Sequence, residues 1–103
     1  MDKIAALKEI LALDPKNSFA RYGLAMELAS CGETDVALGE FDTLLANDPE
    51  YTAAYFMAAQ TLAAAGRAAE AIERLRAGIG CASRSGNLHA LSEMQAMLDD
   101  LDR

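Results

Sequence analysis

Residues 14–49, DPKNSFARYGLAMELASCGETDVALGEFDTLLANDP, decide the fold because their pattern returns along the chain at a fixed interval. Pro15 and Pro49 lie 34 residues apart, and each follows an aspartate. The same shift aligns Gly32 with Gly66, Ala37 with Ala71, Leu28 with Leu62, Ala25 with Ala59, Tyr22 with Phe56, and the series Ile4–Leu38–Ile72, Leu7–Phe41–Leu75 and Leu11–Leu45–Ile79. A constant period of this length predicts an array of stacked supersecondary units.

Within this register, apolar residues recur at helical spacing, and turn signals divide the chain into segments. Asp-Pro pairs end two of the segments, since proline disfavours the helical region for the residue before it. Gly32 and Gly66 are predicted to stop two others, while Ser18, Thr34 and Thr52 are predicted N-caps. Residues 83–87, SRSGN, have the composition of a loop. The sequence therefore predicts six helices, at about 3–13, 18–31, 34–47, 52–65, 68–80 and 87–101.

The chain is acidic, with a net charge of −7 and a pI near 4.5. A nucleic-acid-binding surface requires clustered Lys and Arg, and the nine here are scattered among acids. Binding to an anionic membrane surface is disfavoured for the same reason. No signal-like segment or long apolar run is present, so we expect a cytoplasmic protein. The two cysteines, Cys31 and Cys81, have alanine and glycine neighbours and are expected to be buried small residues.

The residues resemble the tetratricopeptide repeat family, whose helix–turn–helix unit has the pattern W-x2-L-G-x2-Y…A-x3-F…P. The first full copy places Arg21, Leu24, Ala25, Leu28, Ala37, Phe41 and Pro49 at those positions. The second copy places Tyr55, Ala58, Ala59, Leu62, Ala71, Leu75 and Ser83 there. Two residues depart from the pattern. Arg21 replaces the first aromatic, which suggests an exposed edge, and Ser83 replaces the closing proline, which allows a longer connection.

This resemblance implies an all-α fold, a right-handed solenoid of antiparallel helix hairpins. It implies a single domain over residues 1–103, made of a leading half-repeat helix (3–13), a first repeat (18–48), a second repeat (52–81) and a terminal capping helix (87–101). In such solenoids the first helix of each repeat lines a concave face. The expected function is therefore protein–protein interaction.

By the same resemblance, the concave face would bind an apolar or amphipathic peptide segment. The expected contact residues are Phe19, Tyr22, Met26, Phe56, Met57, Gln60 and Met94. Relatives that grip a C-terminal carboxylate use Lys and Asn on these helices, whereas this chain has Tyr22, Met26 and Met57 there. A structural alternative stays open, in which these side chains pack on one another or under the last helix.

Self-association is the second functional hypothesis. The leading helix corresponds to the second helix of a repeat, so the face that a preceding helix would cover is open. Leu7, Ile10, Leu24 and Phe19 could then pair across a two-fold axis to give a homodimer.

Catalysis has little support in the sequence. The single histidine, His89, stands at the start of the last helix, where a surface role is expected. There is no metal-binding His-Glu-x-x-His, nucleophile elbow or phosphate-binding glycine loop, and the spacing of Gly78 and Gly80 is too weak a signal for a nucleotide. We expect no enzymatic activity, no cofactor and no metal.

Overall fold

The computed structural model describes residues 2–102, which form six α-helices and no strand. The helices are α1 (Lys3–Leu13), α2 (Ser18–Ser30), α3 (Thr34–Asn47), α4 (Thr52–Ala64), α5 (Ala68–Ser85) and α6 (Leu88–Leu101). Two compact units share them, and the boundary lies between Pro49 and Glu50. In the first unit α2 packs on α1 and α3, and in the second α5 packs on α4 and α6. The predicted all-α architecture is confirmed.

Side-chain caps begin three of the helices. The carboxylate of Asp2 accepts a hydrogen bond from the Ile4 amide at 3.0 Å, and Asn17 accepts one from the Ala20 amide at the same distance. Asn87 accepts one from the Ala90 amide at 3.1 Å. The predicted N-caps were wrong by one residue, because Ser18, Thr34 and Thr52 are the first residues of their helices. Asn17 supplies the cap that Ser18 was expected to provide.

Glycine in the left-handed region ends α2 and α4, as the sequence predicts. Gly32 has φ +81° and Gly66 has φ +77°. After α2 the amide of Glu33 donates to the Leu28 carbonyl at 2.9 Å, and after α4 the amide of Arg67 donates to the Leu62 carbonyl at 2.9 Å. In each bond the amide lies five residues after the carbonyl, and the bond satisfies a carbonyl that has no partner within the helix. The two repeats therefore turn at the same place by the same mechanism.

The end of α5 differs from the prediction. The helix continues through Ser83 and Arg84 to Ser85, where the sequence predicts a loop. Because Ser83 stands where the other repeats have proline, no ring blocks the helical hydrogen bonds there. Gly86, with φ +71°, ends the helix instead. The extra turn carries Cys81 and Ala82, both fully buried.

The core of each unit contains both small and large apolar residues. Alanines that are 0% exposed let the helices approach closely, and leucine, phenylalanine and methionine fill the space between them. The largest fully buried side chains are Phe41 and Leu44 in the first unit and Leu62, Leu75, Cys81 and Met94 in the second. Cys31 is exposed, so the expectation that both cysteines are buried was wrong for it. It follows the last residue of α2, at the position of the exposed Ala65 in the second repeat.

Candidate functional site

The exposed face of α2 carries three of the expected contact residues. Phe19, Tyr22 and Met26 follow one another at spacings of three and four residues, which places them on one side of a helix. Phe19 is 80% exposed, whereas Tyr22 and Met26 are half-buried. The ring of Tyr22 meets Phe41 edge to face, with ring centres 6.4 Å apart and planes at 63°. Tyr22 is thus held in place by α3, while Phe19 presents most of its side chain to solvent.

A comparison of the two repeats indicates which aromatic side chains on this face the fold itself needs. Tyr22 and its equivalent Phe56 are both aromatic and both half-buried. Phe19 corresponds instead to Ala53, which is exposed. Because the second repeat forms the same helix with alanine there, an aromatic ring at this position is not needed for folding. Because aromatic residues are enriched among those that dominate binding energies, the exposed Phe19 beside Tyr22 and Met26 is a candidate binding residue.

In the second unit, α4 carries the corresponding set. Phe56 and Met57 are half-buried, and Gln60 is exposed. Thr61, one position further on, donates a hydrogen bond to the carbonyl of Met57 at 2.8 Å and is thereby occupied within the helix. The α4 face therefore offers an aromatic edge, a thioether and one amide, with less exposed apolar surface than α2.

Met94 does not belong to an accessible face. Its side chain is 0% exposed. A Cβ built on Gly78 would lie 2.5 Å from the Met94 sulfur and 2.6 Å from Cβ of Tyr55. Met94 thus fills the space where α6 meets α5, and it cannot contact a partner while its unit is folded. Its place among the expected contact residues is corrected to the core.

Arg21 is also placed differently from the expectation. Its Nη1 donates to Oε1 of Glu40 on α3 at 2.6 Å, and its Nη2 donates to the carbonyl of Pro15 at 2.9 Å. The side chains of Arg21 and Glu40 are only 16% and 24% exposed. The residue expected at an exposed edge is therefore a cross-link within the first repeat. The second repeat has Tyr55 and Arg74 at these positions, so it lacks this pair of opposite charges.

A polar cluster in the second unit was not anticipated from the sequence. The Cys81 thiol donates to Oε2 of Glu50 at 3.0 Å and lies 3.2 Å from the Thr52 hydroxyl. Arg84 donates through Nε to the other oxygen of Glu50 at 3.4 Å. Burial raises the pKa of the Cys81 thiol, and the hydrogen bond to Glu50 raises it further. The bonds from Cys81 and Arg84 lower the pKa of Glu50. These shifts keep the thiol protonated, so it is a poor nucleophile.

The single histidine lies on the surface of α6. His89 is exposed, and its Nε2 lies 3.0 Å from Oε1 of Glu93, one turn along α6. Over residues 2–102, no group of three His, Cys, Asp or Glu side chains could hold a metal ion. Within that same part of the chain, no helix is both long enough and apolar enough to cross a membrane.

The chain as a whole has counterparts among known proteins. A family model described as tetratricopeptide repeat matches residues 28–94, more than half of the chain. The chain belongs to the tetratricopeptide repeat family. It is 29% identical over 100 residues to the TPR repeat-containing protein PA0015 of Pseudomonas aeruginosa, covering 97% of this chain and 95% of that protein.

Solved structures of other proteins share the fold. Protein BPP2914 from Bordetella parapertussis superposes with a TM-score of 0.86 at 27% identity, over 100% of this chain and 90% of that one. The type III secretion chaperone SycD of Yersinia enterocolitica, in complex with a peptide of the translocator YopD, superposes with a TM-score of 0.87 at 22% identity. The match covers 96% of this chain and 76% of SycD.

Proposed function

We propose that this tetratricopeptide protein is a non-catalytic interaction module that binds an apolar or amphipathic peptide segment of another protein. The α2 face supplies the main contact, with Phe19 as the anchor and Tyr22 and Met26 beside it. The observation that carries the proposal is the 80% exposure of Phe19 at a position where the second repeat has alanine.

Physical chemistry supports this use of the α2 face. Burying a phenylalanine side chain stabilises a complex by about 1.5–3 kcal/mol, and aromatic residues are enriched among the few that dominate binding energies. Tyr22 is already oriented by its contact with Phe41, so it loses little side-chain entropy on binding. Met26 adds a flexible thioether that adapts to partners of different shape.

The structural similarity to SycD supports a peptide ligand but does not identify the peptide. SycD carries a translocator peptide in its structure, and it shares this fold at 22% identity. Some relatives bind a ligand's C-terminal carboxylate through Lys and Asn side chains. This chain has Tyr22, Met26 and Met57 at those positions, so a ligand selected by its terminal carboxylate does not fit. The ligand that fits best is therefore an internal segment with apolar side chains.

The α4 face of the second unit is proposed as a weaker contact. Phe56 and Met57 are half-buried and Gln60 is exposed, so this face offers a small apolar area with one hydrogen-bonding amide. We expect Gln60 to orient a ligand backbone and to contribute less to affinity than Phe19, because a solvent-exposed hydrogen bond adds only about 0.5–1.5 kcal/mol.

A displayed library of random peptides tests the proposal directly. Peptides are selected on immobilised wild-type protein, and each selected peptide is then measured against Phe19→Ser and Val36→Ser. Val36 is the matched control, an exposed large apolar residue on α3 of the same unit. The proposal requires peptides with clustered apolar residues that lose affinity on Phe19→Ser alone. Peptides equally sensitive to both variants, or no selected peptides at all, would refute it.

A further inference from the structure

Two carboxylates stand at the C-terminal end of the α2 face, the surface formed by Phe19, Tyr22 and Met26. Glu27 lies in the last turn of α2, and its side chain is 35% exposed. Glu33 is exposed and precedes α3, where its side chain makes no cap hydrogen bond. The last turn of α2 contains no basic residue, and the negative end of the helix dipole lies at the same place. This end of α2 is therefore electronegative.

The second repeat has no acid at either of these positions. The 34-residue shift places Thr61 where Glu27 stands and Arg67 where Glu33 stands. Thr61 bonds within its own helix, and Arg67 pairs with Glu70. Because the second repeat forms the same helix pair and the same glycine stop without these carboxylates, the fold does not require them. They occur in the repeat whose first helix also carries the exposed phenylalanine.

The first unit as a whole has an excess of negative charge. Residues 1–49 contain four Lys and Arg against nine Asp and Glu, a net charge of −5, whereas residues 50–103 contain five against seven. Two of the four bases already have acidic partners. Arg21 pairs with Glu40, and Lys3 pairs with Glu27. The first unit therefore attracts cations, and carboxylates within about 10 Å, the screening length at 0.1 M salt, decide where they bind.

The lysine beside Glu27 does not neutralise it fully. Nζ of Lys3 lies 3.6 Å from Oε1 of Glu27, and the lysine side chain is 78% exposed. An ion pair in such a position is weak, because water screens both charges. A carboxylate has two oxygens and accepts several hydrogen bonds. A lysine or arginine of a ligand can therefore share Glu27 with Lys3.

We propose that the peptide segment bound by the α2 face is basic as well as apolar. Its Lys or Arg side chain pairs with Glu27 and Glu33, while an apolar side chain packs on Phe19. This inference rests on the proposed function and specifies its ligand. Glu27 comes eight residues after Phe19, which corresponds to about 12 Å along the helix. The basic residue therefore stands about four positions from the apolar one in an extended ligand, and about eight in a helical ligand.

Peptides selected from a random library on immobilised wild-type protein test the proposal. Each is measured against Glu27→Gln/Glu33→Gln and against Glu9→Gln/Asp42→Asn, a control that removes two exposed acids of the same unit and has the same net charge. We expect Lys or Arg at the stated spacing, and a loss of affinity of about fivefold in the first variant against about twofold or less in the control. Most of the loss should be in the association rate, because charges at the edge of a contact act there.

A variant of Lys3 tests the same contact with the opposite sign. In Lys3→Gln the ligand no longer shares Glu27, so a basic peptide should bind about threefold more tightly. Lys8→Gln removes another exposed base from α1 with the same change of net charge, and it should have a smaller effect. Loss of folding cannot imitate this gain of affinity. Equal effects of the two substitutions would overturn the pairing with Glu27.

The outcomes distinguish this inference from the proposed function. Selected peptides that lose affinity on Phe19→Ser, but lack a basic residue at the stated spacing or bind both double variants equally, overturn the basic ligand and leave the apolar contact in place. Peptides that do not depend on Phe19 overturn both. In a peptide that passes these tests, replacing its Lys or Arg with Gln should reproduce the loss, and Glu27→Gln/Glu33→Gln should then weaken binding no further.

Discussion

Arg21 and Glu40 join the two helices of the first repeat through a hydrogen-bonded ion pair of 2.6 Å that is largely shielded from solvent. The same guanidinium reaches the carbonyl of Pro15, so a single side chain links α2 to α3 and to the turn before α2. A pair in this position contributes more than an exposed one, because less of its attraction is screened by water.

Replacing Glu40 with alanine should therefore destabilise the protein. We expect the free energy of unfolding to fall by about 1–2 kcal/mol, since Arg21 stays half-buried without its carboxylate. Urea denaturation followed by circular dichroism measures the change. Glu9→Ala, which removes an exposed acid from α1 of the same unit, is the control and should change stability by less than about 0.5 kcal/mol. Equal effects from the two variants would show that the pair adds nothing.

Gly78 is required by packing, although it lies inside a helix. Alanine usually stabilises a helix interior by up to about 1 kcal/mol relative to glycine. At residue 78, however, the added Cβ would overlap the Met94 sulfur and Cβ of Tyr55, and the latter cannot move without its backbone. We expect Gly78→Ala to reduce stability by about 1–3 kcal/mol.

Gly39 provides the opposite case in α3. A Cβ built there meets nothing within 4 Å, so Gly39→Ala should raise the melting temperature while Gly78→Ala lowers it. Thermal denaturation of the two variants side by side gives the comparison. If both substitutions stabilise the protein, the close contact at Gly78 is wrong.

The two thiols should react at very different rates. Cys31 is exposed, whereas Cys81 is buried with a raised pKa and donates to Glu50. A chromogenic disulfide reagent should label one thiol per native chain rapidly, and the second only after unfolding. In Cys31→Ser the fast reaction should disappear. Rapid labelling of that variant would contradict the buried position of Cys81.

The Cys81 thiol should also shape the alkaline stability of the protein. Its pKa is raised on folding, so its contribution to stability is complete below the ordinary thiol pKa and is lost as pH rises through the folded value. Between about pH 8 and about pH 10, wild type should therefore lose more free energy of unfolding than Cys81→Ala. Parallel curves for the two proteins would mean that the pKa of Cys81 is not raised.

Much of the fold is readable from the sequence because each helix has local stop signals. The C-terminal ends of α1 and α3 follow from aspartate–proline pairs, and those of α2 and α4 follow from Gly32 and Gly66. The end of α5 was mispredicted because Ser83 and Arg84 suit both a loop and a helix. Cys81 and Ala82 are buried in the core, and this tertiary packing favours the helix over the loop. Local sequence patterns do not show such packing.

The candidate site is less readable than the fold. Helical spacing correctly places Phe19, Tyr22 and Met26 on one side of α2, but it cannot tell that Met94 is buried. The N-caps Asn17 and Asn87 lie 87 − 17 = 70 residues apart, two more than two repeats of 34, so Met94 takes the position of the buried Leu24 and not that of Met26. The Arg21–Glu40 pair also required three-dimensional proximity, although its opposite charges 19 residues apart were visible.

Whether Phe19 is a binding residue and not a folding residue is the central question for function. Its exposure predicts that Phe19→Ala changes the free energy of unfolding by less than about 0.5 kcal/mol. The most direct measurement is calorimetric titration of a library-selected peptide into wild type, Phe19→Ala and Val36→Ala. We expect Phe19→Ala to weaken binding at least about tenfold, or about 1.4 kcal/mol, with Val36→Ala unchanged. Equal dissociation constants for wild type and a folded Phe19→Ala would contradict the proposed function of the α2 face.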